Sequence, residues 1–274
     1  MNSKIYALFL IWFGVAPQLA MADSALNRDL IKRSGIESVV AQIPPAMSAS
    51  YLQLEQHGVK PDEKFKTAWV NAVKASIRAD RIVDAIDKGL QKLTVAERRS
   101  VLAFYDTPAG QRIRTLEEKA SQPDAQPAIE AFAKTFMADP KNAERLKLYQ
   151  QIDRATHGSI LGTELGLRVA HATALGMANA TRGPATIDQA ALEKQVESQR
   201  PQIAQQVQQV VLLTSAFTYR DLTVAEIKAY LKFLTTPATQ KFSTVVLNSL
   251  TNELATQARL FGSELVKNFR RKSA

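Results

Sequence analysis

The feature that most restricts the fold of this chain is a stretch of sequence that occurs twice. Residues 93–115 and 222–244 share 12 identities in 23 positions, and the alignment needs no gap. Both copies begin with the letters LTVAE and continue, after a short segment, with the letters TPA. We refer to residues 93–115 as box 1 and to residues 222–244 as box 2. Agreement of this extent at a constant offset of 129 residues indicates a duplicated structural unit.

Each box predicts two helices joined by a sharp turn. A Thr followed three residues later by a Glu is the pattern of a capping box, in which each residue hydrogen-bonds the backbone N–H of the other. A second Thr then precedes a Pro. The Thr suits an N-cap, and the Pro suits the first helical position, because its missing N–H costs nothing there. The predicted cap residues are Thr94, Glu97, Thr107 and Pro108 in box 1, and Thr223, Glu226, Thr236 and Pro237 in box 2.

The rest of the chain also has the periodicity of helices. The clearest case is the segment from Pro237 to about Arg271, whose apolar residues recur every three or four positions and predict one long final helix. No segment shows sustained alternation of apolar and polar residues, which strands would require. The sequence therefore predicts an all-α fold, a bundle-like body built from two related multi-helix halves. These halves are residues 23–138, with box 1, and residues 139–274, with box 2.

Box 1 carries a family resemblance. Its residues from Leu93 to Gln111, L-T-x-x-E followed by F-Y-x-T-P-x-G-Q, resemble the core motif of exported bacterial proteins grouped as domain of unknown function 2059. Box 2 departs from the motif at Leu234 and Thr239, which stand in the Tyr and Gly positions, and is similar to a diverged duplicate. The resemblance implies a helical, exported protein of a Gram-negative bacterium. It implies no activity, since the family has none assigned.

The first 22 residues predict a cleavable secretory signal peptide. Lys4 supplies the positive start, residues 5–15 form an uncharged apolar run, and residues 20–22 have the small-x-small pattern of a cleavage site. The apolar run is shorter than the roughly 20 residues that a membrane span needs. We therefore expect a mature chain that begins at Asp23 and is periplasmic, with secretion to the medium as a variant. A buried N-terminal helix is the alternative interpretation.

The sequence predicts neither catalysis nor a cofactor. The chain has no cysteine, which excludes disulfides, thiolate metal sites and a cysteine nucleophile. On one continuous helix, His157 and His171 would lie about 20 Å apart, too far to share a metal. No zinc-protease, phosphate-binding or nucleophile-elbow motif is present. The recurrence of Glu97 and Glu226 is accounted for by capping. A nucleic-acid partner is not expected either, because the net charge of +9 is moderate and no binding motif occurs.

The C-terminal segment is the candidate interaction surface. Residues 256–274 contain five basic residues and one Glu, and a helical projection places the basic ones opposite an apolar stripe. A basic amphipathic helix can bind an anionic membrane or a partner protein. The alternative is a final core helix with a solvated basic face. The predicted surface residues are Arg259, Lys267, Arg270 and Arg271.

A ridge of small residues predicts a close helix contact. Gly158, Gly162 and Gly166 are followed by alanines at 170, 174 and 178, so that a small residue occurs at every fourth position. Such a ridge lets another backbone approach closely. The contact is expected inside the chain, and a homodimer contact is the alternative.

These patterns favour an exported periplasmic accessory or interaction protein that binds another protein or the envelope surface. A helical carrier of an apolar small molecule, held between helices, is the alternative function. An envelope hydrolase is a third class, for which the sequence offers no residues.

Overall fold

The computed structural model describes the backbone of residues 15–49, 51, 62–122, 125–136, 139–182 and 188–271. Over these ranges the chain is helical and contains no strand, which confirms the all-α fold. In that part of the chain, no helix is both long and apolar enough to cross a membrane. The helices are α1 (Val15–Arg33), α2 (Ile36–Ala41), α3 (Ile43–Ala49), α4 (Glu63–Ser76), α5 (Ala79–Leu90), α6 (Val95–Tyr105), α7 (Pro108–Ala120), α8 (Gln126–Phe136), α9 (Ala143–Thr156), α10 (Gly158–Arg182), α11 (Gln189–Glu197), α12 (Arg200–Thr218), α13 (Val224–Leu234) and α14 (Pro237–Arg271), with a 3-10 turn at Pro140–Asn142.

The predicted signal peptide lies largely outside this description. Residues 1–14 are not among the described residues, and α1 begins at Val15 and runs through the expected cleavage site before Asp23. Ser24, which has the sequence character of an N-cap, lies inside this helix. Signal cleavage therefore remains a prediction.

The first helix of each box starts at a complete capping box. The Thr94 hydroxyl accepts from the Glu97 N–H at 3.2 Å, and the Glu97 carboxylate accepts from the Thr94 N–H at 2.7 Å. Thr223 and Glu226 repeat both bonds with the same distances. Helices α6 and α13 therefore begin at equivalent positions for the same local reason: two otherwise orphaned backbone donors are satisfied.

The second helix of each box begins at its proline. Thr107 accepts a hydrogen bond from the Gly110 N–H at 3.0 Å, and α7 follows from Pro108. Thr236 accepts one from the Thr239 N–H at 3.3 Å, and α14 follows from Pro237. Both Thr-Pro turns therefore have the same cap hydrogen bond, although its donor is Gly110 in box 1 and Thr239 in box 2.

The two boxes pack against each other like the subunits of a two-fold dimer. Lys241 Nζ lies 2.8 Å from a carboxylate oxygen of Glu97, and Arg112 pairs with Glu226. At the offset of 129 residues, Glu97 is equivalent to Glu226 and Arg112 to Lys241. The two ion pairs are therefore the same contact made in both directions, as in an isologous interface.

An aromatic pair lies where the axis of such an interface would pass. Phe104 and Phe233 are equivalent to each other at that offset, and their rings stack with centroids 3.7 Å apart and an interplanar angle of 9°. Self-contact between equivalent residues occurs only near a two-fold axis. The boxes thus meet on an approximate two-fold axis.

The second helices of the boxes are exchanged between two hydrophobic clusters. Cluster 1 joins α1, α5 and α6 of the first half to Phe242 and Leu250 of α14. Cluster 2 joins α9, α12 and α13 of the second half to Ile113 of α7 and Phe136 of α8. Each cluster therefore contains side chains from both sides of Asp139. Burial of each large apolar side chain contributes about 1.5–3 kcal/mol, so the exchange links the two halves strongly.

A third cluster explains the length of α14. Phe261 and Leu265 are fully buried against Trp69 of α4, whose indole N–H donates to the Met47 carbonyl at 2.8 Å. The Trp69 and Phe261 rings meet edge to face with centroids 4.8 Å apart. The C-terminal part of α14 therefore packs in the core with one face and is exposed on another.

Candidate interaction groove

A groove of about 440 Å³ lies between α10, α11 and α14. Its floor is apolar and its rim is charged, with the two signs mixed. It is lined by Glu164, Leu167, Arg168, His171, Gln189, Glu193, Val196, Glu197, Arg200, Ala255, Ala258 and Arg259. Leu167 and Val196 are buried. The groove is therefore built like a small protein-binding surface, with an apolar centre and a polar margin.

The ridge of small residues positions α10, the central wall of the groove. A Cβ atom placed on Gly162 would lie 2.6 Å from Val207 Cγ1 of α12, and one on Gly166 would lie 3.2 Å from Ile203 Cγ2. Helices α10 and α12 are thus closer than larger residues would allow. The ridge makes its close contact inside the chain.

Arg200 ties three helices together at one end of the groove. Its guanidinium pairs with Glu164 of α10 and with Glu197 of α11. Hydrogen bonding from Arg200 lowers the pKa of the Glu197 carboxyl, and the hydrogen bonds to Glu197 and Glu164 raise the pKa of Arg200. Arg200 therefore links Glu164 of α10 with Glu197 of α11 at this end of the groove.

The middle of the groove contains polar atoms without partners. Arg168 Nε and His171 Nε2 are buried, and neither makes a hydrogen bond within the described part of the chain. Arg168 lies 4.0 Å from Glu164 through another nitrogen. A buried polar group without a partner costs about 1–3 kcal/mol.

The predicted surface residues are not all in the groove. Arg259 is exposed at its rim and makes no ion pair with the described residues. Lys267 is exposed but lies outside the lining and pairs with Glu264 at 2.6 Å. The side chains of Arg270 and Arg271 are outside the described residues. Of the predicted set, the structure brings only Arg259 to the groove with the residues considered above.

The three histidines are dispersed. His157 ends α9 with a left-handed backbone conformation (φ 59°), so it turns the chain into α10 and is not on a continuous helix with His171. His57 lies outside the described residues. Within the described part, no group of three or more His, Asp or Glu residues could hold a metal ion.

The groove residues that sequence analysis missed are Arg168, His171 and Arg200. Each belongs to a helix whose local pattern gives no sign of a site. They come together because α10 packs against α11, α12 and α14. Only the tertiary contacts between these helices could have identified them.

Fold and groove together define an all-α protein in which two helix–turn–helix boxes pack face to face beside a charged groove. Residues 82–139 match the model of a family described as uncharacterized protein conserved in bacteria (DUF2059). This match confirms the family resemblance of box 1 and extends from within α5 to the end of α8. No curated protein and no solved structure matches the chain significantly.

Proposed function

We propose that the protein is an exported accessory protein of the bacterial envelope and binds a partner protein through the groove between α10, α11 and α14. The observation that carries the proposal is the groove itself, in which the apolar side chains of Leu167 and Val196 are surrounded by charged residues. The rim adds Arg259, a cation that no described residue neutralises.

The packing of α14 favours a protein partner over a membrane surface. A helix that lies on a membrane buries its apolar face among the lipids. In α14 the apolar stripe is occupied, since Leu254, Phe261 and Leu265 are 3 %, 0 % and 0 % exposed. Among its described residues, the exposed face of α14 is mainly polar, although Leu260 is 42 % exposed.

The lining indicates the chemistry of the partner. Arg168 and Arg259 would bind carboxylates, and an apolar side chain would pack against Leu167 and Val196. The partner segment is therefore expected to place a carboxylate beside Arg259 and an apolar side chain at the centre of the groove. Its association should weaken with added salt, because exposed charges are screened over about 8–10 Å at physiological ionic strength.

Site-specific cross-linking tests the proposal. A photoreactive residue at Glu193, exposed on the rim, should give one discrete adduct in cells. Arg259→Glu should reduce that adduct, and Arg99→Glu, a matched change on the exposed face of α6, should leave it intact. An unchanged adduct in the Arg259 variant would contradict the groove as the site.

Export is tested separately. The intact mass of protein recovered from the cell envelope should correspond to a chain that begins at Asp23. Retention of Met1 on exported protein would remove this part of the proposal.

The carrier function remains the alternative. Native mass spectrometry of protein purified from cells distinguishes the two functions. A protein adduct supports the accessory role, and a co-purifying apolar small molecule supports the carrier.

A further inference from the structure

A second, smaller cavity lies where the two boxes meet. Its volume is about 210 Å³, below the roughly 300–1,000 Å³ of pockets for drug-sized ligands. It lies beside the ends of α1 and α9 and between the second helices of the boxes, and none of its lining residues lines the groove. Hydroxyl groups and one carboxylate supply its polar lining: Ser34, Tyr105, Glu117, Thr156, Tyr230, Thr239 and Ser243.

Glu117 is the only carboxylate of this lining, and its two oxygens differ. One oxygen, Oε1, accepts hydrogen bonds from the Tyr219 hydroxyl at 2.6 Å and the Tyr230 hydroxyl at 2.8 Å. The other, Oε2, accepts none from the described residues. The side chain is enclosed by protein atoms but keeps some accessible surface. One oxygen is therefore fixed, and the other is available.

No described cation neutralises Glu117. Burial raises the pKa of Glu117 more than the hydrogen bonds from Tyr219 and Tyr230 lower it. The charge of Glu118, whose carboxylate pairs with Arg114 at 2.9 Å, raises the pKa of Glu117 further. A buried carboxylate without a counter-charge is unusual, because desolvation of an unpaired charge is costly.

The tyrosines around Glu117 act as neutral donors. Burial raises the pKa of Tyr219 and Tyr230 well above the ordinary value, and the charge of Glu117 adds to the shift. Tyr105 also lines the cavity, and its hydroxyl makes no hydrogen bond with any described residue. An unused acceptor on Glu117 and an unused hydroxyl on Tyr105 thus share one small space.

The two boxes and their second helices line the cavity with different chemistry. At the offset of 129 residues, Glu117 is equivalent to Val246 and Tyr105 to Leu234, and all four residues line the cavity. The carboxylate of the lining therefore comes from the α7 side, and the α14 side supplies apolar side chains together with hydroxyl groups. A ligand that fits both sides has a charged end and an apolar end.

We propose that this cavity is a binding site for a small organic cation, an alkylammonium whose N–H groups bind Glu117 Oε2 and the Tyr105 hydroxyl. Its alkyl part lies against Leu234, Phe242 and Val246. The aromatic rings of Tyr105 and Tyr230 add attraction for a cation. The site is independent of the groove and of the partner protein proposed above.

Calorimetric titration of the full chain tests the site with defined probes. We expect n-butylammonium to bind at a 1:1 ratio and uncharged n-butanol, of matched size, to bind at least about tenfold more weakly, which corresponds to 1.4 kcal/mol. Glu117→Gln keeps the shape of the side chain and should weaken n-butylammonium at least as much. Glu118→Gln, a matched change on the next residue, should leave binding unchanged.

The outcomes separate the proposal from its failure. A thermal melt checks that Glu117→Gln is folded, and Tyr105→Phe, a second and milder variant, should also weaken n-butylammonium. Equal binding of butanol and butylammonium, equal binding by the wild-type and Glu117→Gln proteins, or no saturable binding up to millimolar probe would each overturn it. None of these results bears on cross-linking at the groove, so the two proposals fail independently.

Discussion

Box 1 and box 2 begin their helices in the same way, but their second helices end very differently. Helix α7 has 13 residues and ends at Ala120, whereas α14 has 35 residues and continues to Arg271. The extra length of α14 buries Phe261 beside Trp69 and carries Arg259 to the groove. The residues that the two boxes share pair the boxes with each other. The extension of α14 beyond box 2 supplies part of the surface on which we base the proposed function.

The boxes also differ in what they bury. Arg98 of box 1 is 3 % exposed and hydrogen-bonds Asn27 and pairs with Asp23 of α1. Its equivalent in box 2 is Ile227, which is fully buried in cluster 2. The same helix position thus meets its neighbour through a polar contact in one copy and an apolar contact in the other. The caps are therefore the same in both boxes, and the helix faces that they position differ.

The largest expected difference between the boxes is at the fourth residue of each Thr-Pro turn. A Cβ on Gly110 would lie 2.1 Å from the Phe104 carbonyl oxygen, a backbone atom that cannot move aside. Gly110→Ala should therefore cost more than about 3 kcal/mol. In box 2, Thr239→Ala loses one hydroxyl contact and should cost only about 1 kcal/mol. Urea denaturation of both variants measures the contrast, and equal costs would show that the turn in box 1 tolerates a Cβ at position 110.

The next prediction concerns the ring pair on the approximate axis. Phe104→Ala and Phe233→Ala should each lower the free energy of unfolding by about 2–3 kcal/mol, because both rings are only partly buried. The double variant should cost less than the sum of the two by about 0.5–1.5 kcal/mol, the coupling typical of an aromatic pair. A double-mutant cycle measures this coupling. Additive effects would mean that the two boxes do not meet at these rings.

A smaller and symmetric effect is expected at the caps. Thr94→Ala and Thr223→Ala each remove the hydroxyl that accepts from a Glu N–H, and each should cost about 0.5–2 kcal/mol. Since the distances are the same in both boxes, the two costs should agree within the error of a thermal melt. A large disparity would show that tertiary packing, and not the local cap, sets one of the helix starts.

The smallest effect is a difference in acid sensitivity. The pKa of Glu97 is lowered first by its hydrogen bond to Lys241, whereas that of Glu226 is lowered first by the backbone of Thr223. A lowered folded-state pKa gives stability that is present above the unfolded value of about 4.3 and is lost as the pH falls below it. Lys241→Gln should reduce the loss of folding stability at acid pH more than Arg112→Gln does. Thermal melts between about pH 3 and 6 compare the two variants, and an equal slope would contradict the assignment.

Patterns within a few residues predict much of this fold, whereas contacts between residues distant in sequence cannot be read from them. The cap residues and the all-α class follow from hydrogen bonds and periodicity within a few residues, so they could be predicted. The pairing of Arg112 with Glu226 joins residues 114 positions apart and depends on the exchange of α7 and α14. Glu117 lies in the segment LEEK, which has the composition of a solvated helix face, and only folding places it beside Tyr219 and Tyr230.

The central claim is that the two boxes complete each other, so that each hydrophobic cluster needs helices from both sides of Asp139. The most direct test is to produce residues 23–138 and 139–274 as separate fragments and to follow helix content and thermal unfolding by circular dichroism. We predict that neither fragment alone melts cooperatively, because cluster 1 would lack α14 and cluster 2 would lack α7 and α8. An equimolar mixture should recover helix content and a cooperative transition resembling that of the intact chain. A cooperative melt of either fragment by itself would show that the halves fold independently and would contradict the account.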